Sequence, residues 1–156
     1  MMIRLFVDTS VLFAAALSPT GAARELLCMA LRGHAQIVIS QDVLDEAERN
    51  LTRKAPETLR AYRQLILLLG VEIVNPTAND VRAAEGYVVS KDAPIVAAAR
   101  AAKVDFLVTF DRKHLLDPPE IAARAGLRVV LPQIALDAIR KGLAKGATGE
   151  EDGFLP

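Results

Sequence analysis

The stretch Ile3-Arg4-Leu5-Phe6-Val7-Asp8-Thr9-Ser10-Val11-Leu12-Phe13-Ala14-Ala15-Ala16-Leu17 decides the fold. Its first five residues read as a short apolar strand that stops at a carboxylate, and from Val11 to Leu17 the pattern becomes helical. A second helix, Ala22 to Leu31, follows the break Ser18-Pro19-Thr20-Gly21. Further along, Ala35 to Ile39 is a second strand. Ser40 is then placed to cap a helix carrying Asp42, Asp45 and Glu46 in its first two turns, where the positive end of the helix dipole favours acids. A helix from about Pro56 ends at Gly70 and leads into the strand Val71 to Val74. Thr77-Ala78-Asn79-Asp80 matches a capping box for a helix running toward Val89. Asp92-Ala93-Pro94 opens the helix Ile95 to Ala102. The strand Phe106 to Thr109, a short segment through Asp117-Pro118-Pro119, the strand Arg128 to Leu131 and a last helix from Pro132 complete the chain.

Five short apolar strands separated mostly by helices imply βαβ units, hence a doubly wound α/β domain with a parallel sheet. In such sheets ligands bind beyond the carboxyl ends of the strands, where the strand order reverses. The residues just after each strand are therefore the ones to examine.

Composition narrows the function. The 156 residues suit one domain, expected over 1–144, with a flexible acidic tail at 145–156. Nineteen Lys+Arg balance nineteen Asp+Glu, which excludes nucleic-acid binding by bulk positive charge. The absence of Trp, with two Tyr and five Phe, argues against a base-stacking platform. Cys28 has no disulfide partner and reads as a core thiol of a reduced, cytoplasmic protein. Asp8 interrupts the apolar N-terminal run, so neither a signal peptide nor a membrane span of about 18 residues is expected.

At the strand ends stand Asp8-Thr9-Ser10 and Thr109-Phe110-Asp111, each delivering a carboxylate and a hydroxyl to the same edge. Glu46 and Asp92, near the starts of two helices, bring further carboxylates to that edge. Four convergent acids repel one another and raise one another's pKa unless a cation compensates. A hard divalent ion, Mg²⁺ or Mn²⁺, singly or as a pair, is the natural partner for such oxygen donors and for substrate phosphate. Each acid also has a simpler use: Asp8 and Asp92 as helix caps, Glu46 in an i,i+4 pair on a solvated face, Asp111 in a turn. Asp45 and Glu46 lie about 100° apart on their helix, so only one of the two faces the crevice.

Together, Val7-Asp8-Thr9-Ser10-Val11-Leu12, Val43-Leu44-Asp45-Glu46, Asp92-Ala93-Pro94-Ile95-Val96-Ala97-Ala98-Ala99 and Phe106-Leu107-Val108-Thr109-Phe110-Asp111 resemble the PIN-domain family, which includes VapC-like ribonuclease toxins of bacterial toxin-antitoxin pairs. The resemblance spans about Ile3 to Val130. It implies a three-layer α/β/α domain with a five-stranded parallel sheet of order 3-2-1-4-5, and an endoribonuclease site dependent on Mg²⁺ or Mn²⁺. A homodimer and an antitoxin partner are also implied. By match to the family motif, Asp8, Glu46, Asp92 and Asp111 are the catalytic and metal-holding acids, with Ser10 and Thr109 supporting them.

The expected chemistry is hydrolysis of RNA phosphodiester bonds by water activated at the ion, with no histidine nucleophile. His34 reads as a surface residue, and His114 as a positioning residue. Arg112, Lys113, His114 and Lys91 are the candidate substrate contacts. Leu59, Tyr62, Leu65, Ile66 and Leu69 form one helical stripe, widened by Leu67 and Leu68, and Leu131, Ile134, Ala135, Ala138, Ile139 and Leu143 form another. Both suit core packing or a protein interface. Among rivals, a receiver domain needs an acid after its third strand, where Val74-Asn75-Pro76 stands, and a haloacid-dehalogenase-type phosphatase needs Asp-x-Asp where Asp8-Thr9-Ser10 stands. No Gly-rich phosphate loop is present. The remaining alternative is a catalytically silent RNA-binding or protein-interaction module.

Overall fold

Strand β1 (Ile3–Val7) lies at the centre of the sheet because its Leu5, Phe6 and Val7 are fully buried, as expected of a strand covered on both faces. In the computed structural model, which describes residues 2–153 and side chains to residue 146, β1 pairs in parallel with β2 (Ala35–Ile39) and with β4 (Phe106–Val108). Short strands β3 (Glu72–Ile73) and β5 (Val129–Val130) form the edges, giving the order 3-2-1-4-5. This is the expected order, with all four pairings parallel. The chain runs outward from β1 to β3 and then returns to β4, so the order reverses between β1 and β4.

Helices flank the sheet: α1 (Thr9–Leu17), α2 (Ala22–Leu31), α3 (Gln41–Lys54), α4 (Leu59–Leu69), α5 (Ala78–Glu85), α6 (Ala93–Ala101), α7 (Pro119–Ala125) and α8 (Pro132–Gly153). Local chemistry sets their starts. Ser40 accepts from the Val43 amide, and Thr77 and Asp80 close the reciprocal capping box. At the end of α4, Gly70 adopts φ 58°, a left-handed conformation that needs no Cβ relief.

Several details differ from the sequence reading. α7 was not anticipated, because Asp117-Pro118-Pro119 reads as a break; Pro119 instead occupies the first turn, where its missing N–H costs nothing. The helix expected from Pro56 is a 3₁₀ turn, Pro56–Thr58, followed by α4. α8 runs through Gly153, and the side chains of the expected flexible tail from 147 on lie outside the described residues. Cys28 is half-buried, as is His34. No single described helix is long and apolar enough to cross a membrane.

The stripe on α4 divides: Tyr62 is buried and Leu59, Leu65, Ile66 and Leu69 pack against the core, while Leu67 and Leu68 are 82% and 74% exposed. On α8, Ala135 and Ile139 are buried, whereas Ile134 and Leu143 are exposed. α6 is built differently. Its buried residues are Ala93, Val96, Ala97, Ala98 and Ala99, small side chains that admit close approach to the sheet and to α5. Ala84, Ala93 and Ala97 form their own small cluster. Ala97→Leu therefore overpacks this contact and is expected to cost about 1–3 kcal/mol. Thermal denaturation should show a lower Tm by about 2–4 °C per kcal/mol, whereas Leu68→Ala stays within about 0.5 kcal/mol of the parent.

Candidate metal centre at the carboxyl edge of the sheet

The register that pairs Val7 with Val108 sets Asp8 beside Thr109 at the switch between β1 and β4. The Asp8 amide donates to the Val108 carbonyl at 3.2 Å, continuing the ladder by one residue. Two hydroxyls then fix the Asp8 carboxylate. Ser10 Oγ donates to Oδ1 at 2.5 Å, and Thr109 Oγ1 donates to Oδ2. Each hydroxyl also accepts from the β4 side: Ser10 Oγ from the Phe110 amide at 3.1 Å, Thr109 Oγ1 from the Asp111 amide at 3.0 Å. Asp8 additionally caps α1, accepting from the Val11 amide at 3.3 Å, so capping and a site role coexist in one side chain.

Asp92 is different. It stands before α6 with φ −99° and ψ −8°, outside the extended conformation that aims a cap at the helix amides, and makes no side-chain capping bond. The capping explanation for Asp92 therefore fails. Its side chain is buried, and Oδ2 has no hydrogen-bond partner. Lys91 beside it is exposed and lines the cleft, and the two form no ion pair.

Glu46 and Asp45 are separated by the helix turn, as their spacing requires. Glu46 accepts from Thr9 Oγ1 at 3.3 Å and lines the cleft; Asp45 accepts from Gln41 Nε2 at 2.9 Å and lines a separate surface hollow with Arg49 and Arg53. Asp111 starts a wide turn, Arg112–Leu116, closed by the Leu116 amide on the Asp111 carbonyl at 3.0 Å. Donor and acceptor are five positions apart in sequence, a π-helical bond. Oδ1 of Asp111 accepts from the His114 amide at 3.1 Å, and the turn carries the imidazole back over the acids. Nδ1 of His114 lies 3.3 Å from Asp111 Oδ2 and 3.5 Å from Asp92 Oδ2.

Asp8, Glu46, Asp92 and Asp111 thus line one cleft of about 240 Å³, together with Ser10, Phe13, Asn50, Lys54 and Lys91. Lys54, a basic residue of that helix able to meet RNA, follows Glu46 at i+8, and Asn50, at i+4 on the same face, was missed. Arg112 and Lys113 are exposed on the wide turn and do not line the cleft. Lys54 Nζ lies 5.4 Å from the centre of the Phe13 ring.

The acids act on one another. Burial pushes the Asp8 carboxyl above its ordinary range; Ser10, Thr109 and the Val11 amide oppose the shift, and the Asp111 charge adds to it. Asp92 is raised by burial first and by Asp111 second, against the opposing charges of His114 and Lys91. Among the described residues none of the four acids pairs with Lys or Arg. Buried, unpaired carboxylates at one point call for a cation, and oxygen donors suit a hard divalent one. The unpartnered Oδ2 of Asp92 fits that group directly, and one donor atom each from Asp92, Asp111 and His114 lie within 4.8 Å of one another.

The sequence profile of the PIN domain matches residues 4–113. The chain belongs to the PIN-domain family. No curated protein sequence matches it. Among solved structures, two resemble this PIN domain in fold. PAE2754 from Pyrobaculum aerophilum superimposes with a TM-score of 0.62 at 21% identity, over 90% of this chain and 98% of that one. VapBC2 from Rickettsia felis, bound to a DNA fragment from their promoter, gives 0.58 at 19%, over 83% and 98%. At such identities the likeness is one of fold.

The charge on Asp92 of this PIN domain has a thermodynamic sign. Because its folded-state pKa is raised, the folded protein holds the proton longer than the unfolded one. Stability is full below the unfolded pKa and is lost as pH rises through the folded pKa. At pH 7 the ionised side chain is thus a standing cost in protein stripped of metal by chelator. Asp92→Asn removes the charge without removing a hydrogen bond from Oδ2. The stripped variant should melt a few degrees above the stripped parent at pH 7, and calorimetry should find the gain shrinking toward pH 4.

Proposed function

We propose that this chain is a divalent-metal-dependent endoribonuclease that hydrolyses RNA phosphodiester bonds as the toxin of a toxin-antitoxin pair. The observation that carries the reading is the convergence of Asp8, Glu46, Asp92 and Asp111 on one cleft in a PIN fold, with Asp92 Oδ2 buried and unpartnered. A bound Mg²⁺ or Mn²⁺ supplies positive charge at the scissile phosphate and lowers the pKa of water.

The chain's own residues then have separable roles. Asp8 holds the ion, and its orientation is set by Ser10 and Thr109 so that neither oxygen has to be ordered during binding. Asp92 offers its spare lone pairs from a buried position, and Asp111 presents Oδ2 while Oδ1 is occupied by the His114 amide. Glu46, steadied by Thr9, completes the acidic wall and orients water. Lys54 and Lys91 at the cleft, with Arg112 and Lys113 beside it, meet the substrate's phosphates. Setting the four acids aside leaves the rest of the chain with an excess of four Lys and Arg, so neutrality overall is compatible with weak, salt-dependent RNA binding.

The partners proposed are RNA, an antitoxin protein and a second copy of the chain. The exposed Leu67 and Leu68 of α4 supply apolar surface beyond what the core uses. VapBC2, one of the structural neighbours, was solved on promoter DNA, which is compatible with a paired toxin and antitoxin here.

The test is cleavage of structured and unstructured RNA with Mn²⁺. Asp8→Asn should lower the rate by more than the ~10–100-fold that loss of an outer-shell metal partner costs, with its circular dichroism unchanged. Full activity in Asp8→Asn contradicts the mechanism, and RNA binding without turnover in the parent contradicts the enzyme itself.

A further inference from the structure

His114 supplies the one imidazole at the acidic cleft; the chain's other histidine, His34, precedes β2 and so stands at the opposite edge of a parallel sheet. Three features set His114 apart from an ordinary neighbour of carboxylates. Its backbone amide is tied to Asp111 Oδ1, and the π-helical turn Arg112–Leu116 aims its ring back at the acids. Nδ1 lies 3.3 Å and 3.5 Å from one oxygen each of Asp111 and Asp92. These separations exceed the roughly 2.7–2.9 Å of a charge-assisted hydrogen bond, so the nitrogen faces both oxygens without closing on either. Finally, the Asp92 oxygen it faces belongs to a residue 4% exposed and has no hydrogen-bond partner. Donors around one six-coordinate ion of this size stand about 3–4 Å apart, the scale of this group.

Building on the proposed metal-dependent site, we infer that His114 Nδ1 is itself a ligand of the divalent cation, together with Asp92 and Asp111, and that this nitrogen biases the site toward Mn²⁺ over Mg²⁺. Mg²⁺ takes oxygen donors almost exclusively, whereas imidazole suits first-row transition metals. The sequence carries this as Asp111-x-x-His114, a carboxylate and an imidazole three residues apart. That i,i+3 spacing, with Glu in place of Asp, also serves di-iron helix bundles.

The experiment uses the full chain, freed of metal and loaded with Mn²⁺ alone, and reads ¹⁴N hyperfine coupling by pulsed electron paramagnetic resonance. Calorimetric titrations with MnCl₂ and with MgCl₂ accompany it. The parent and a His34→Gln control should both show nitrogen coupling to Mn²⁺. His114→Gln should lose the coupling and bind Mn²⁺ about 10-fold or more weakly, with Mg²⁺ affinity changed less than about 3-fold. His114→Asp, which restores an oxygen donor, should shift the preference toward Mg²⁺. Mn²⁺ bound by the parent without nitrogen coupling overturns the inference while leaving the metal-dependent site standing. Equal or tighter Mn²⁺ binding by His114→Gln also overturns it, because the imidazole would then be a counter-charge that the ion displaces. A parent that binds no Mn²⁺ overturns the site reading as well.

Discussion

The Asp8 carboxylate, held between the hydroxyls of Ser10 and Thr109, is the contact on which the site depends. Asp8 ends β1 and Thr109 ends β4, and the two strands are neighbours only because the chain reverses there. The same two hydroxyls accept the amides of Phe110 and Asp111. One pair of small polar side chains therefore joins the first strand to the fourth and positions the acid of each. Removing a hydroxyl would leave a buried carboxylate short of a donor and loosen the turn that carries Asp111, a loss larger than that of an exposed hydrogen bond.

The cost of this arrangement lies in its charges. Burial and mutual repulsion raise Asp8 and Asp92 above the ordinary carboxylate range, and no Lys or Arg among the described residues pairs with them. A core organised for stability alone would leave apolar residues at these positions. Charge strain concentrated at one sheet edge, beside a cleft, is what makes this edge the candidate functional site. The rest of the molecule offsets it through an ordinary apolar interior, with Leu5, Phe6, Leu12, Leu26, Ile37 and Leu107 fully or almost fully buried.

Much of this was legible in the residues, for identifiable reasons. Strands β1, β2 and β4 each end in three consecutive apolar residues followed by a polar one, so their ends, and hence Asp8 and Thr109, follow from pattern. Strand order 3-2-1-4-5 came from family resemblance, since periodicity alone does not order strands. Asp45 and Glu46 could be recognised as mutually exclusive from helix geometry, but choosing between them required either the motif or the Thr9 contact. Asn50 could have been found by counting one further turn from Glu46. That His114 lies near the acids was legible from its place three residues past Asp111, but the π-helical turn that sets Nδ1 facing both Asp92 and Asp111 has no signal in Arg112-Lys113. Likewise, Asp92 before Ala93-Pro94 reads as a cap by residue type, and only its backbone angles turn the carboxylate elsewhere.

The central claim is that these elements assemble a divalent-cation site centred between the ends of β1 and β4. The most direct measurement is a crystal structure of the protein grown with Mn²⁺, with anomalous differences recorded to locate the ion. The account predicts a peak enclosed by Asp8, Asp92 and Asp111, within coordination distance of their carboxylate oxygens. A well-ordered cleft with no anomalous peak at saturating Mn²⁺, or with a lysine ammonium occupying the space between the acids, would contradict it.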